Sequence, residues 1–194
     1  MATTDFEDKG GGVQLVFGEN AGGTRYPLRV DTTGRIEARS QLELTRVDVT
    51  PTITSGTAYA AGDAVGGLMK FEDVVDGEGG HGEIRKVVIT DKGAQNAAFD
   101  LVIFSGTFTP TANDAELDIS DADLLNSLGV ISVGSGTYVS FKDNSVATYV
   151  CNPPFPFVLG AGVTDLYTQA KTEGTPTYTS TSDIKWHLVI AQHD

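Results

Sequence analysis

Residues 50–71 read TPTITSGTAYAAGDAVGGLMKF. An acidic glycine loop follows, DGEGGHG at 76–82, and then EIRKVVITDKGAQNAAFDLVIF at 83–104. Short apolar runs rich in Val, Ile and Phe alternate here with clusters of Gly, Thr, Asp and Asn. That punctuation is the signature of short strands joined by turns. Residues 99–104, FDLVIF, form a segment of strand length that is apolar except for Asp100, the mark of a strand buried in a core. Nothing in the stretch pairs a nucleophile with a base, opens a phosphate-binding loop into a helix, or clusters metal ligands. The pattern describes a shape before it describes a reaction.

The same alternation extends in both directions. VQLVF at 13–17 and TRYPLRV at 24–30 are expected strands, separated by the turn GENAGG. Leu42, Leu44, Val47 and Val49 alternate with polar residues and change phase after Thr45, which indicates a strand with a shift of face. Strands are also expected at 131–133 and 137–141, joined as a hairpin through Gly134-Ser135-Gly136. Further strands are expected at 146–151, 155–159, 164–170 and 184–191. In the last of these, Trp186 and His187 must face opposite sides. One short helix is expected over 121–128, with Ser120 as N-cap, Asp121 and Asp123 at its positive end, and Leu124, Leu125 and Leu128 on a buried face. Many short strands and almost no helix predict an all-β protein, a β-sandwich of jelly-roll-like character. The chain divides into a polar tail at 1–12, an N-terminal arm with the first strands at 13–49, and a sandwich body at 50–194.

The 194 residues carry a formal net charge of −13, which disfavours contact with nucleic-acid phosphates. Basic residues gather early, at Arg25, Arg29, Arg35, Arg39 and Arg46. No basic start followed by an apolar core marks a signal peptide, and no apolar run has the length of a membrane span. A soluble protein made in a cytoplasm is expected. The single cysteine, Cys151, lies in the apolar run TYVCNPPF and reads as a buried small hydrophobe.

Three features are candidate chemical sites. Asn113, Asp114, Glu116, Asp118, Asp121 and Asp123 offer oxygen ligands, yet lack the spacing of a calcium loop. Turn and cap roles explain them better, so no metal and no cofactor is expected. His81, His187 and His193 do not cluster with one another or with Cys151 as zinc ligands would. Residues 152–157, NPPFPF, form a rigid turn that packs Phe155 and Phe157.

Residues 59–63 (YAAGD), 65–67 (VGG), the apolar strand after them and 90–92 (TDK) together resemble a β-rich segment of virion structural proteins from tailed bacteriophages. The resemblance covers a quarter to a third of the chain. It implies a capsid decoration, or cement, protein that is not an enzyme. Such a protein binds the outer surface of the assembled major capsid protein shell, acts as a homotrimer, and resides on the virion exterior. Arg25, Arg29, Arg35 and Arg39 are the expected docking residues. Two other readings remain open: a receptor- or carbohydrate-binding head-fibre or tail module using Tyr138, Trp186 and the Pro-Phe turn, and a self-assembling capsid or tail subunit. A calcium-dependent or hydrolytic enzyme is a third class, disfavoured because no catalytic constellation is in view.

Overall fold

The computed structural model describes residues 16–19, 25–28, 43–75 and 80–193, with backbone alone for the first two segments and for residues 43 and 193. Two compact units divide the chain, Met1–Gln41 and Leu42–Asp194. The first contains an antiparallel ribbon of β1 (Val16–Glu19) and β2 (Arg25–Leu28), with Gly18 opposite Tyr26.

The second unit is a sandwich of two antiparallel sheets. Its strands are β3 (Glu43–Val49), β4 (Ala64–Phe71), β5 (His81–Asp91), β6 (Phe99–Phe104), β7 (Ser127–Val133), β8 (Tyr138–Ser140), β9 (Ser145–Val158), β10 (Leu166–Thr172) and β11 (Ile184–His193). One sheet has four strands in the order β4-β10-β6-β7, and the other five in the order β3-β11-β5-β9-β8. Within a sheet, only β6–β7 and β8–β9 join sequential neighbours. Every other connection crosses between the sheets, which is the interleaved strand order of a jelly roll, with β8 added at one edge.

Alternation explains the layers. Along β11, Ile184, Trp186, Leu188 and Ile190 point inward and are fully buried, while Lys185 and Val189 point outward. Phe99, Leu101 and Ile103 of β6 meet them from the other sheet, and the Phe99 ring packs edge-on against Trp186 at 5.4 Å between centroids. Burying each such side chain contributes roughly 1.5–3 kcal/mol. Cys151 lies inside this core as expected, and burial pushes its thiol pKa up.

The residues behind the sequence resemblance have local structural roles. Tyr59 donates its hydroxyl to Asn113 Oδ1 at 2.7 Å and accepts the Thr54 N–H at 2.7 Å. Asp63 accepts the Ala60 N–H at 2.7 Å and closes a turn. Gly66 sits at φ +73° beside a bulge between β4 and β10, and a Cβ there would stand 2.6 Å from Pro51 Cβ. Asp91 caps the β5–β6 connection by accepting the N–H groups of Gly93 and Asn96, each at 2.9 Å.

Four expectations need correction. The helix is a single turn, Asp121–Leu124, with Ser120 capping the Asp123 N–H at 3.1 Å. None of its residues is buried and Leu125 is 87% exposed, because Ser127 onward is taken into β7 by pairing with β6. Gly134-Ser135-Gly136 makes no hairpin. A short 3-10 turn, Ser135–Thr137, instead carries the chain from one sheet to the other. Residues 152–157 form no corner. They lie within β9 as a wide bulge, with a cis bond at Asn152-Pro153, where residues 151–154 oppose Arg85 alone. Finally, β3 is an edge strand of the five-stranded sheet, so residues 43–49 belong with the body and not with the arm.

Candidate functional site: the open face of the five-stranded sheet

The outer faces of the two sheets differ. Over the four-stranded sheet runs the connection between β6 and β7, residues 105–126. Phe108 stacks on outward-facing Phe104 at 4.1 Å, and Leu117, Ile119 and Tyr167 complete a second small core around Val102. Gln169, fully buried on β10, clamps this connection down. Its Nε2 donates to the Thr111 carbonyl at 2.7 Å, and its Oε1 accepts the Thr111 N–H at 3.0 Å.

The outer face of the five-stranded sheet carries no such layer among the described residues, and its surface is built from cross-strand rows. Lys185 stands opposite Thr90, and Thr90 opposite Val146. His187 stands opposite Asp48 on one side and Val88 on the other. Val189 stands opposite Arg46 and Lys86. Leu44, Val139 and Val150 on this side are more than half exposed.

Asp48 anchors an ionic array. It accepts from Arg46 Nε at 2.9 Å, Lys185 Nζ at 3.0 Å and His187 Nδ1 at 2.6 Å. Desolvation works against its charge, but the hydrogen bonds from His187, Arg46 and Lys185 outweigh it and hold the carboxyl well below the usual carboxylate range. His187 Nδ1 also lies 2.7 Å from an Arg46 guanidinium nitrogen, and one ring nitrogen cannot both donate and accept. The carboxylate can only accept, so Nδ1 is the donor. Nε2, 3.2 Å from Thr90 Oγ1, accepts the threonine hydroxyl when the ring is neutral.

Carboxylate, imidazole and hydroxyl in this order outline a nucleophilic relay. Here the histidine is only 6% exposed, and Thr90 lies on a strand paired on both sides. The backbone groups around that hydroxyl are engaged in the ladder, so they cannot supply oxyanion donors. What the array does is tie β3 to β11 and β5.

The expected sites fall as follows. Arg29, Arg35 and Arg39 lie outside the described residues, and Arg25 opens β2, of which only the backbone is described. The acidic residues at 113–123 do not converge. Asn113 is the hub of a polar network with Tyr59, Gly66 and Thr54, Asp114 turns at φ 65°, and Asp123 accepts the Ser120 hydroxyl. No group of three His, Cys, Asp or Glu side chains among the described residues is placed to hold a metal. Trp186 is fully buried and Tyr138 half-buried, so neither forms an exposed aromatic patch. Phe157 is buried and Phe155 packs on the core, as the reading of residues 152–157 expected.

At one end of the sandwich a polar cleft of about 280 Å3 opens between Asn96, Ser135 and Glu173. Nearby, burial pushes the Asp91 carboxyl pKa up in spite of the N–H groups that bind it. Among the described residues, no helix is long and apolar enough to cross a membrane. Comparison of the chain with protein-family models, curated proteins and solved structures finds no match.

Proposed function

We propose that the chain is a capsid decoration protein that lays the outer face of its five-stranded sheet on the assembled shell of a major capsid protein and stabilises it. The observation that carries this reading is the charge asymmetry of the sandwich. The layer over the four-stranded sheet displays Glu116, Asp118 and Asp121 to solvent, with no cation between 105 and 126. The opposite face sets Arg46, Lys86 and Lys185 against the single carboxylate Asp48 in its central rows, flanked by Leu44, Val139 and Val150. A face free of net negative charge, in a chain of −13, is where an acidic macromolecular surface can approach.

The resemblance at 59–67 and 90–92 supplies the kind of surface, a phage shell, and with it the expectation of a trimer. A protein that binds the shell and not its free subunits stabilises it by linkage. Several modest contacts on one oligomer add through their effective concentration. Arg25, Arg29, Arg35 and Arg39 of the first unit are proposed as a second docking element.

The test is co-sedimentation with expanded, undecorated capsids of the source virus. Saturable binding and a higher capsid melting temperature are expected. Lys86→Glu with Lys185→Glu should weaken binding about tenfold or more, and steeply so at low salt. Charge reversal at the four N-terminal arginines tests the second element separately. Failure of the unaltered protein to bind would discard the shell reading altogether.

A further inference from the structure

A sheet edge is an invitation to pair with another chain, and proteins blunt their edges with charge, bulges, short strands or covering segments. The two sheets end in four edges: β4, β7, β3 and β8. Three are blunted. β8 has only three residues. β3 carries Glu43, Arg46 and Asp48. β4 carries the Gly66 bulge and Lys70, and its start is covered where the Ala64 N–H donates to the Ala115 carbonyl at 2.8 Å. β7 is the least protected: apart from a bulge at Leu128, near its start, it has none of these devices. Its sequence, SLGVISV, contains no charge and no proline, and among the described residues it pairs with β6 alone.

The surroundings of β7 are equally bare of charge. From Leu124 to Thr164 the chain has 41 residues, and only Lys142 and Asp143 are charged, where the average of this sequence would place about eight. That span supplies β7, β8 and β9. β8 pairs with β9, and the Phe155 ring of β9 lies 3.2 Å from where a Cβ on Gly129 of β7 would stand, so the three strands form one flank. Among the described residues, seven of the nine exposed large hydrophobics fall in this span, among them Leu125, Val130 and Phe141 and, where the flank borders the outer face of the five-stranded sheet, Val139 and Val150.

We infer that this flank is the contact between copies of the chain, with the β7 edge taking a strand of the neighbouring copy. The charge distribution selects the occupant. Two copies at −13 each repel through any acidic surface, and a charge-free flank is where they can meet without facing like charges. A strongly charged partner would find no complement there. Apolar side chains around an open edge supply both parts of such an interface, main-chain pairing and burial. The inference stands on the edge and the charge pattern and does not rest on the shell-binding reading.

Sedimentation velocity and light scattering on the full chain test it. A discrete small oligomer is expected, with a mass that added salt does not reduce. Val130→Lys and Val139→Lys alter exposed positions, so far-UV circular dichroism should stay unchanged while the dissociation constant rises about tenfold or more. Leu44→Lys, exposed but outside the flank, should leave the mass alone. Amide exchange in β7 should be slowed in the assembled protein and fast in Val130→Lys. A chain that stays monomeric up to its solubility limit would overturn the inference. So would flank variants that keep the assembled mass, or a Leu44→Lys variant that dissociates as readily as they do.

Discussion

The two sheets of this sandwich share one core and treat their outer faces in opposite ways. The four-stranded sheet is covered by its own chain, with Phe104 and Phe108 stacked and Gln169 hydrogen-bonded across the joint. The five-stranded sheet leaves its outer face to a row of charges around Asp48 and to exposed aliphatic side chains. The difference separates stability from availability. A face closed by apolar packing and a buried amide is committed to the monomer, whereas a face of ion pairs and exposed valines costs little to expose and can be covered again by a partner.

The largest effect should come from breaking the covered side. Phe104 is fully buried and stacked on Phe108, so Phe104→Ala removes the centre of the small core. A loss of about 3–5 kcal/mol is expected from the missing transfer and the cavity left behind. Urea denaturation reads the loss, and amide exchange across 105–126 should rise more than exchange in β11. A loss under about 1 kcal/mol would mean that the connection lies on the sheet without being held by it.

How much of this was legible beforehand depended on range. The apolar runs at 99–104 and 184–191 declared β6 and β11, since an alternating or continuous apolar strand needs no knowledge of its partner. The Gly134-Ser135-Gly136 turn was legible as a turn and misread as a hairpin. Turn chemistry does not say to which sheet the chain goes next. The prolines at 153, 154 and 156 concealed the continuity of β9, where a wide bulge absorbs Pro153 and Pro154, which cannot donate to a ladder, and Pro156 keeps its register opposite Glu83. The helix was overextended since its caps were real and its leucines were then claimed by solvent and by β7. The Asp48–His187 contact joins residues 139 positions apart and left no local signal. Only the inward phase of Trp186 hinted that His187 would face out.

An intermediate effect is expected on the open side. Asp48 has a folded pKa below its ordinary value of about 3.9. Its contribution is therefore present above that ordinary value and is lost as the pH falls through the lower folded pKa. Asp48→Asn should cost about 1 kcal/mol near neutrality, a modest figure because the carboxylate is one-third exposed and solvent screens the array. The gap between the two proteins should then narrow on acidification below pH of about 4. Stability curves of both proteins across that range measure it. A gap that widens with acid would show that Asp48 is not held as an anion by Arg46, Lys185 and His187.

The smallest effect is the sharpest test of the contrast. Leu44 is 63% exposed on β3, away from the uncharged flank, and its row neighbour Ala191 is fully buried beneath the surface it shares. If the open face is solvent-facing in the monomer, Leu44→Ser changes stability by no more than about 0.5 kcal/mol. Val102 occupies the matching situation on the covered sheet, outward-facing yet only 8% exposed. Val102→Ser should cost roughly 2 kcal/mol or more, since it removes buried apolar surface and places a hydroxyl in a small core with no partner assured. Two outward aliphatic side chains on two sheets of one sandwich would then differ several-fold in worth, and the cause would be the 105–126 connection alone. Comparable losses at both positions would mean that something also covers the five-stranded sheet in the free protein, and the face proposed for docking would already be occupied.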